Sequence, residues 1–175
     1  MGITKDVHLP TEAELTVPEV KLSGPALKAA AFHLGKYCQN VNNEFVLCRD
    51  ELGDPRACIG EGKAVTACAL KFLRLVKSNC AGEFTQYANC LDKSSTDQSY
   101  SVCRKTQAVF DKCMLDKLKM ERPYYGYFAE VQIHDSKRPK PKPEPPLVFT
   151  DTPDALPADA KKPPAKYGSR YLFAW

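Results

Sequence analysis

Most signatures of chemistry are missing from this 175-residue chain. It has no glycine-rich phosphate loop, no Gly-x-Ser-x-Gly elbow and no His-Glu-x-x-His pair. Its three histidines, His8, His33 and His134, share no ligand spacing. Cys-x-x-Cys, Cys-x-Cys and Cys-Cys are all absent. These gaps count against an enzyme and against a dithiol redox centre. They also count against structural zinc, whose ligands pair about two to four residues apart, and against a thiolate copper carrier. No catalytic residue, cofactor or metal is expected. No apolar run approaches the roughly 18 residues of a membrane-spanning helix. A net charge of +4 does not by itself call for nucleic acid. Met1–Pro18 lacks an apolar core and carries Asp6, Glu12 and Glu14, so it does not read as a secretory signal. The first arginine is Arg49, which speaks against a matrix transit peptide, and Asp6 breaks the myristoylation pattern.

What the chain does have is cysteine, in one pattern. The eight lie at Cys38, Cys48, Cys58, Cys68, Cys80, Cys90, Cys103 and Cys113. Taken in order they make four Cys-x9-Cys pairs with none left over. Ten helical residues rise about 15 Å, so every helix built on this spacing carries sulfur at the same two heights. In an antiparallel pair the outer cysteines meet and the inner ones meet. That geometry predicts Cys38–Cys68 nested around Cys48–Cys58, and Cys80–Cys113 nested around Cys90–Cys103. The short link Arg49–Ala57 favours a hairpin over a parallel pair. Roughly a hundred other pairings of eight cysteines stay open on spacing alone. The expected fold is all-α: two tandem disulfide-stapled antiparallel helical hairpins, with an extended N-terminal arm and a long proline-rich C-terminal tail.

The divisions read as follows. Residues 1–24 form the arm, interrupted by Pro10 and Pro18. Residues 25–79 form the first hairpin. Ser23-Gly24-Pro25 opens its first helix, and Gly35 with Asn40, Asn42 and Asn43 predicts a break before Glu44–Leu52 resumes. Gly53-Asp54-Pro55 punctuates the turn, with Asp54 suited to cap and Pro55 to begin the next helix, which ends near Asn79. Residues 80–122 form the second hairpin: a helix over Cys80–Leu91, a cap at Ser95, Thr96 or Asp97, and a last helix stopped by Pro123 at about Glu121. Residues 123–175 form the tail, with ten of the fourteen prolines. The run Lys137-Arg138-Pro139-Lys140-Pro141-Lys142-Pro143 favours an extended path. Four aromatics in the last nine residues, Tyr167, Tyr171, Phe173 and Trp175, suit a tail that orders on a partner surface.

Phe45, Tyr87, Tyr100 and Phe110 each stand three residues before a cysteine, which on a helix places ring beside sulfur. As core residues they would fill each hairpin. Before oxidation the same ring and thiol would suit the hydrophobic groove of an oxidoreductase. The cysteine content calls for an oxidising compartment. Without a secretory signal, the mitochondrial intermembrane space fits.

Twin Cys-x9-Cys hairpins resemble the coiled-coil-helix-coiled-coil-helix proteins of that space. Two units in tandem, with the segments Leu27–Ala31, Glu44–Arg49, Asp54–Arg56, Glu61–Lys63, Cys68–Leu70, Cys103–Lys105 and Gly168–Arg170, are similar to the double-unit accessory subunits of mitochondrial respiratory complex I. The resemblance implies a non-catalytic subunit, peripheral to the inner membrane on its intermembrane-space side. Its implied partners are other subunits of the membrane arm and, during import, the oxidoreductase of the disulfide relay. A soluble assembly factor or copper chaperone of the same fold is the alternative. Long arms at both ends favour the subunit, because such arms wrap large surfaces.

Overall fold

Each of the four hairpin helices begins at the first cysteine of a Cys-x9-Cys pair. A computed structural model describes residues 9–140 and, in the tail, 142, 143, 145, 146, 148, 157–161 and 164. Its α-helices are α1 (Glu12–Leu15), α2 (Gly24–Tyr37), α3 (Gln39–Leu52), α4 (Ile59–Asn79), α5 (Ala81–Ser94) and α6 (Arg104–Leu118). Cys38, Cys58, Cys80 and Cys103 cap the starts of α3, α4, α5 and α6 with near-identical backbone angles, φ from −97° to −131° and ψ from 13° to 31°. The second cysteine of each pair lies ten residues on, inside the helix. Among the described residues there is no strand. The fold is all-α with disulfide-stapled hairpins, as the spacing predicts.

Two of these starts involve no loop. At Cys38 the backbone leaves helical geometry for one residue. Its N–H still bonds to the Leu34 carbonyl at 2.9 Å, and its carbonyl accepts from Asn42 at 3.0 Å. Cys80 does the same between Val76 and Phe84, at 2.8 and 3.0 Å. The break expected around Gly35–Asn43 is therefore a single residue, and the asparagines lie within α3. The link from α3 to α4 follows its turn chemistry. Gly53 closes α3 in the left-handed region, φ 64°. Asp54 then accepts from the Arg56 N–H at 2.9 Å, and Pro55 starts a 3-10 turn.

Three helix boundaries differ from expectation. The cap before α6 is Ser99, whose hydroxyl accepts from Ser101 N–H ahead of a 3-10 turn at Tyr100–Cys103. Ser95 instead accepts from the Ser99 N–H at 2.8 Å and folds the link itself. The last helix ends at Leu118, short of Pro123, because Lys119 turns left-handed with φ 55° and Met120 N–H reaches back to the Met114 carbonyl. α5 also runs past Leu91 to Ser94. The arm is not wholly extended, for Thr11 and Glu14 form a capping box on α1.

α2 buries Ala26, Ala29, Ala30 and His33, a face of i, i+3, i+4 and i+7. Its small side chains let α2 pack closely on α5. The core gathers Ala29 and Ala30 with Phe72 and Val76 of α4, Tyr87 and Leu91 of α5, and Phe110, Cys113 and Met114 of α6. Phe110 is its centre. Its ring lies 5.4 Å from Phe84, 6.0 Å from Tyr87 and 5.5 Å from the His33 imidazole. Leading residues of the first hairpin's sequence thus share one core with the second hairpin.

The chain divides into a helical unit, Met1–Pro141, and a tail unit, Lys142–Trp175. In the tail unit Pro157–Ala160 closes a turn. Tyr167, Tyr171, Phe173 and Trp175 lie outside the described residues.

The core makes a direct prediction. Phe110→Ala should destabilise the oxidised chain by about 3–5 kcal/mol in urea unfolding, because a fully buried ring packed against three other rings is removed. A change below about 1 kcal/mol would remove Phe110 from the centre.

Candidate functional site

The structure joins Cys38 to Cys68, Cys48 to Cys58, Cys80 to Cys113 and Cys90 to Cys103, with Cα atoms 5.9–6.0 Å apart. All eight sulfurs are used. Each bond closes a helix start onto a neighbour's interior, so each pair of helices is clamped at two heights. Such closures contribute about 2–4 kcal/mol apiece by restricting the unfolded chain. Asn79 carbonyl oxygen caps one clamp, taking Lys117 Nζ at 2.7 Å beside Cys113 Sγ at 3.8 Å.

Of the four aromatics that precede cysteines, two are buried in the oxidised chain and two are half-buried. Tyr87 and Phe110 are fully buried in the shared core. Tyr100 meets Phe32 edge-on at 5.4 Å and donates its hydroxyl to the Lys28 carbonyl at 3.1 Å. The Phe45 ring faces Gly62 of α4 so closely that a Cβ there would stand 3.4 Å from it.

A buried polar cluster ties α2 to α6. His33 donates from Nε2 to Asp111 at 2.8 Å. Arg122 reaches the same carboxylate at 3.3 Å and stacks its guanidinium over Phe32 at 4.3 Å. Gln107 adds a third donor at 3.2 Å. Burial alone would raise the Asp111 carboxyl. The His33 hydrogen bond, the Arg122 charge and Gln107 outweigh it and hold the group below its ordinary value.

A second cluster holds the first part of the tail. After Pro123, itself buried, the chain turns back along α2 and α3. Phe128 covers Gly35, where a Cβ would come within 3.0 Å of the ring. Tyr127 donates to Gln39 at 2.6 Å, and Gln39 donates to Gln132. Glu44 is then the anchor. It accepts from His134 at 2.7 Å, from Ser136 at 2.7 Å and from Arg138, which also reaches Glu51 at 3.0 Å. The His134 bond, then those of Arg138 and Ser136, hold the Glu44 carboxyl down at about 2. Residues 123–140 therefore strap the chain's own hairpin, where sequence reasoning expected the tail to seek a partner.

His33 and His134, which show no motif in sequence, thus organise the two polar clusters. For His33 one signal is present, its place at the end of the alanine face of α2. For His134 there is none short of the fold, since its acceptor lies 90 residues away. Among the described residues no group of three or more His, Cys, Asp or Glu side chains is placed to hold a metal. No described helix is long and apolar enough to cross a membrane.

No protein-family model matches the chain. Curated relatives do. A 20.8 kDa subunit of NADH-ubiquinone oxidoreductase from Neurospora crassa is 28% identical over 112 residues, 61% of this chain and 60% of its own length. The chain thus spans less than two thirds of that relative. Alpha subcomplex subunit 8-B of NADH dehydrogenase [ubiquinone] 1 from Arabidopsis thaliana is 31% identical over 86 residues, which is 79% of its length. The chain belongs to the alpha subcomplex subunit 8 family. Subunit 8-A of the same plant agrees, at 31% over 86 residues and 78% of its length. In this subunit 8 member, the stapled scaffold and its strap are the features a function has to explain.

The strap gives a pH-dependent prediction. A carboxyl held below its ordinary value of 4.5 contributes stability above that value and loses it as pH falls through the folded value near 2. The strap should stay docked at pH 4 and detach near pH 2. At pH 7, Glu44→Gln should raise tryptic cleavage after Lys137 severalfold, while the urea midpoint of the helices barely moves. Unchanged cleavage would show that Glu44 does not anchor the strap.

Proposed function

We propose that the chain is a non-catalytic accessory subunit of mitochondrial NADH:ubiquinone oxidoreductase, bound to the intermembrane-space side of the membrane arm, where it supports assembly and stability. The observation that carries this reading is the kinship with alpha subcomplex subunit 8, joined to a scaffold whose eight cysteines are all spent on structure. Four disulfides suit an oxidising compartment. The intermembrane space is one such compartment.

On this reading the chain arrives reduced and is oxidised by the disulfide relay. Phe45, Tyr87, Tyr100 and Phe110, with the cysteine three residues on, are the docking candidates. Tyr87 and Phe110 become core on folding and Phe45 and Tyr100 become half-buried, so release of the oxidoreductase accompanies covering of the signal. Residues 25–79 and 80–122 serve as the two units of oxidation, since every bridge is local, 10 to 33 residues in span. Other membrane-arm subunits are the partners, met by the arm over 1–24 and by the tail beyond the strap.

A copper carrier of the same fold would have to open a bridge first, because no thiol is free. A soluble assembly factor differs in its residence. Native separation of gently solubilised mitochondria should place the chain in the large complex that carries NADH-dehydrogenase activity. Migration as a small free species would overturn the subunit reading. Truncation after Pro139 should lower incorporation several-fold and leave the helical unit folded. Normal incorporation would take the distal tail out of the account.

A further inference from the structure

Residues 130–137 belong to no helix, and Glu130 is extended with φ −69° and ψ 139°. The side chains of Gln132, His134, Ser136 and Arg138 all bond to α3, at Gln39, Glu44 and Glu51. From Gln39 to Glu51 the helix rises about 18 Å. From 132 to 138 an extended chain covers about 20 Å. The two spans agree, so this part of the strap runs extended along the helix, with alternate side chains pinned beneath it.

The other alternate row points away. Val131 is 99% exposed and Ile133 98%, and Asp135 and Lys137 are exposed beyond them. Among the described residues no backbone hydrogen bond engages the peptide groups of 130–137. Two β-branched residues at full exposure, on a backbone with open edges, form an unpaired strand edge held rigidly by its inner row.

We propose that 130–137 is a docking strand, which pairs through its main chain with an extended segment of a partner protein. The facing row of that segment carries apolar side chains opposite Val131 and Ile133, a basic residue opposite Asp135 and an acidic residue opposite Lys137. A helix is a poorer occupant, because its contacts recur every three to four residues and the exposed row recurs every two. An anionic membrane is poorer still, since Glu130 and Asp135 flank Val131 and Ile133 on both sides.

The partner is a neighbouring subunit if the function proposed above holds, so the test keeps the two apart. A benzophenone amino acid is placed at Val131, at Ile133 or at Gln132 of the full-length chain in mitochondria. Adducts are mapped to residues after native separation. Positions 131 and 133 should capture one segment of one other polypeptide, at sites two residues apart, while position 132 captures α3 of its own chain. In parallel, the double variant V131D/I133D should cut recovery of the partner at least fivefold with an unchanged thermal melt. Adducts to lipid, adducts spaced three or four residues apart, or adducts within the chain alone would overturn the docking strand. If the wild type comigrates with the active complex but the two-residue pattern is missing, only this inference fails. If the pattern lands on a polypeptide outside that complex, the strand stands and the complex I reading fails.

Discussion

Sulfur carries the first hairpin almost unaided. α3 buries only Cys48, and the 3-10 turn that precedes α4 buries only Cys58. The fully buried side chains of α4, Phe72 and Val76, lie beyond Cys68 and belong to the core around Phe110. Between Cys38 and Cys68 there is too little apolar area to hold two helices together. The bonds replace it by denying the unfolded chain its freedom. The second hairpin is different in kind, for it has Tyr87, Leu91, Phe110 and Met114 as well as its two bridges. The stapled first hairpin extends from that better-packed body as a rigid projection.

Two devices then tie the projection down. The alanine face of α2 lets it sit deep against α5, and His33, Asp111 and Arg122 fasten its flank to α6 and to the segment that follows. The strap does the same for α3 through Glu44. In both places one carboxylate collects three side-chain donors, Asp111 from His33, Gln107 and Arg122, and Glu44 from His134, Ser136 and Arg138. Such partly buried, charge-assisted bonds are stronger than exposed ion pairs and fix one geometry among several apolar alternatives.

The helical hairpins are legible in the sequence because Cys-x9-Cys is a length as much as a motif. It repeats only if each intervening stretch has the same rise. Gly53, Asp54 and Pro55 are legible for the same reason, since their backbone preferences are local. What escapes is everything settled at long range. Ser95 and Ser99 are equally good caps in isolation, and the bond from Ser99 N–H to Ser95 decides between them. Lys119 in a left-handed conformation ends a helix where no glycine marks the place. The tail's composition favours an extended path, but which surface residues 123–140 follow depends on Glu44, a residue indistinguishable in sequence from other acids on helices. His134 and Arg138 gain meaning only once that carboxylate is beneath them.

The joints at Cys38 and Cys80 carry a consequence for how the chain tolerates change in length. Helix runs into helix there with a single non-helical residue between, and that residue is itself bridged. One inserted residue would rotate everything beyond it by about 100° and advance it by about 1.5 Å. The next cysteine would then face solvent, and its partner would be stranded. The link over Ser95–Ser99 has slack to absorb an insertion, because its ends are tied by hydrogen bonds that can re-form. Reading frame at the scale of single residues is thus enforced at two points and relaxed at a third. Divergence in length within such a scaffold is steered to its ends and to that one link, while the spacing inside each Cys-x9-Cys pair stays fixed.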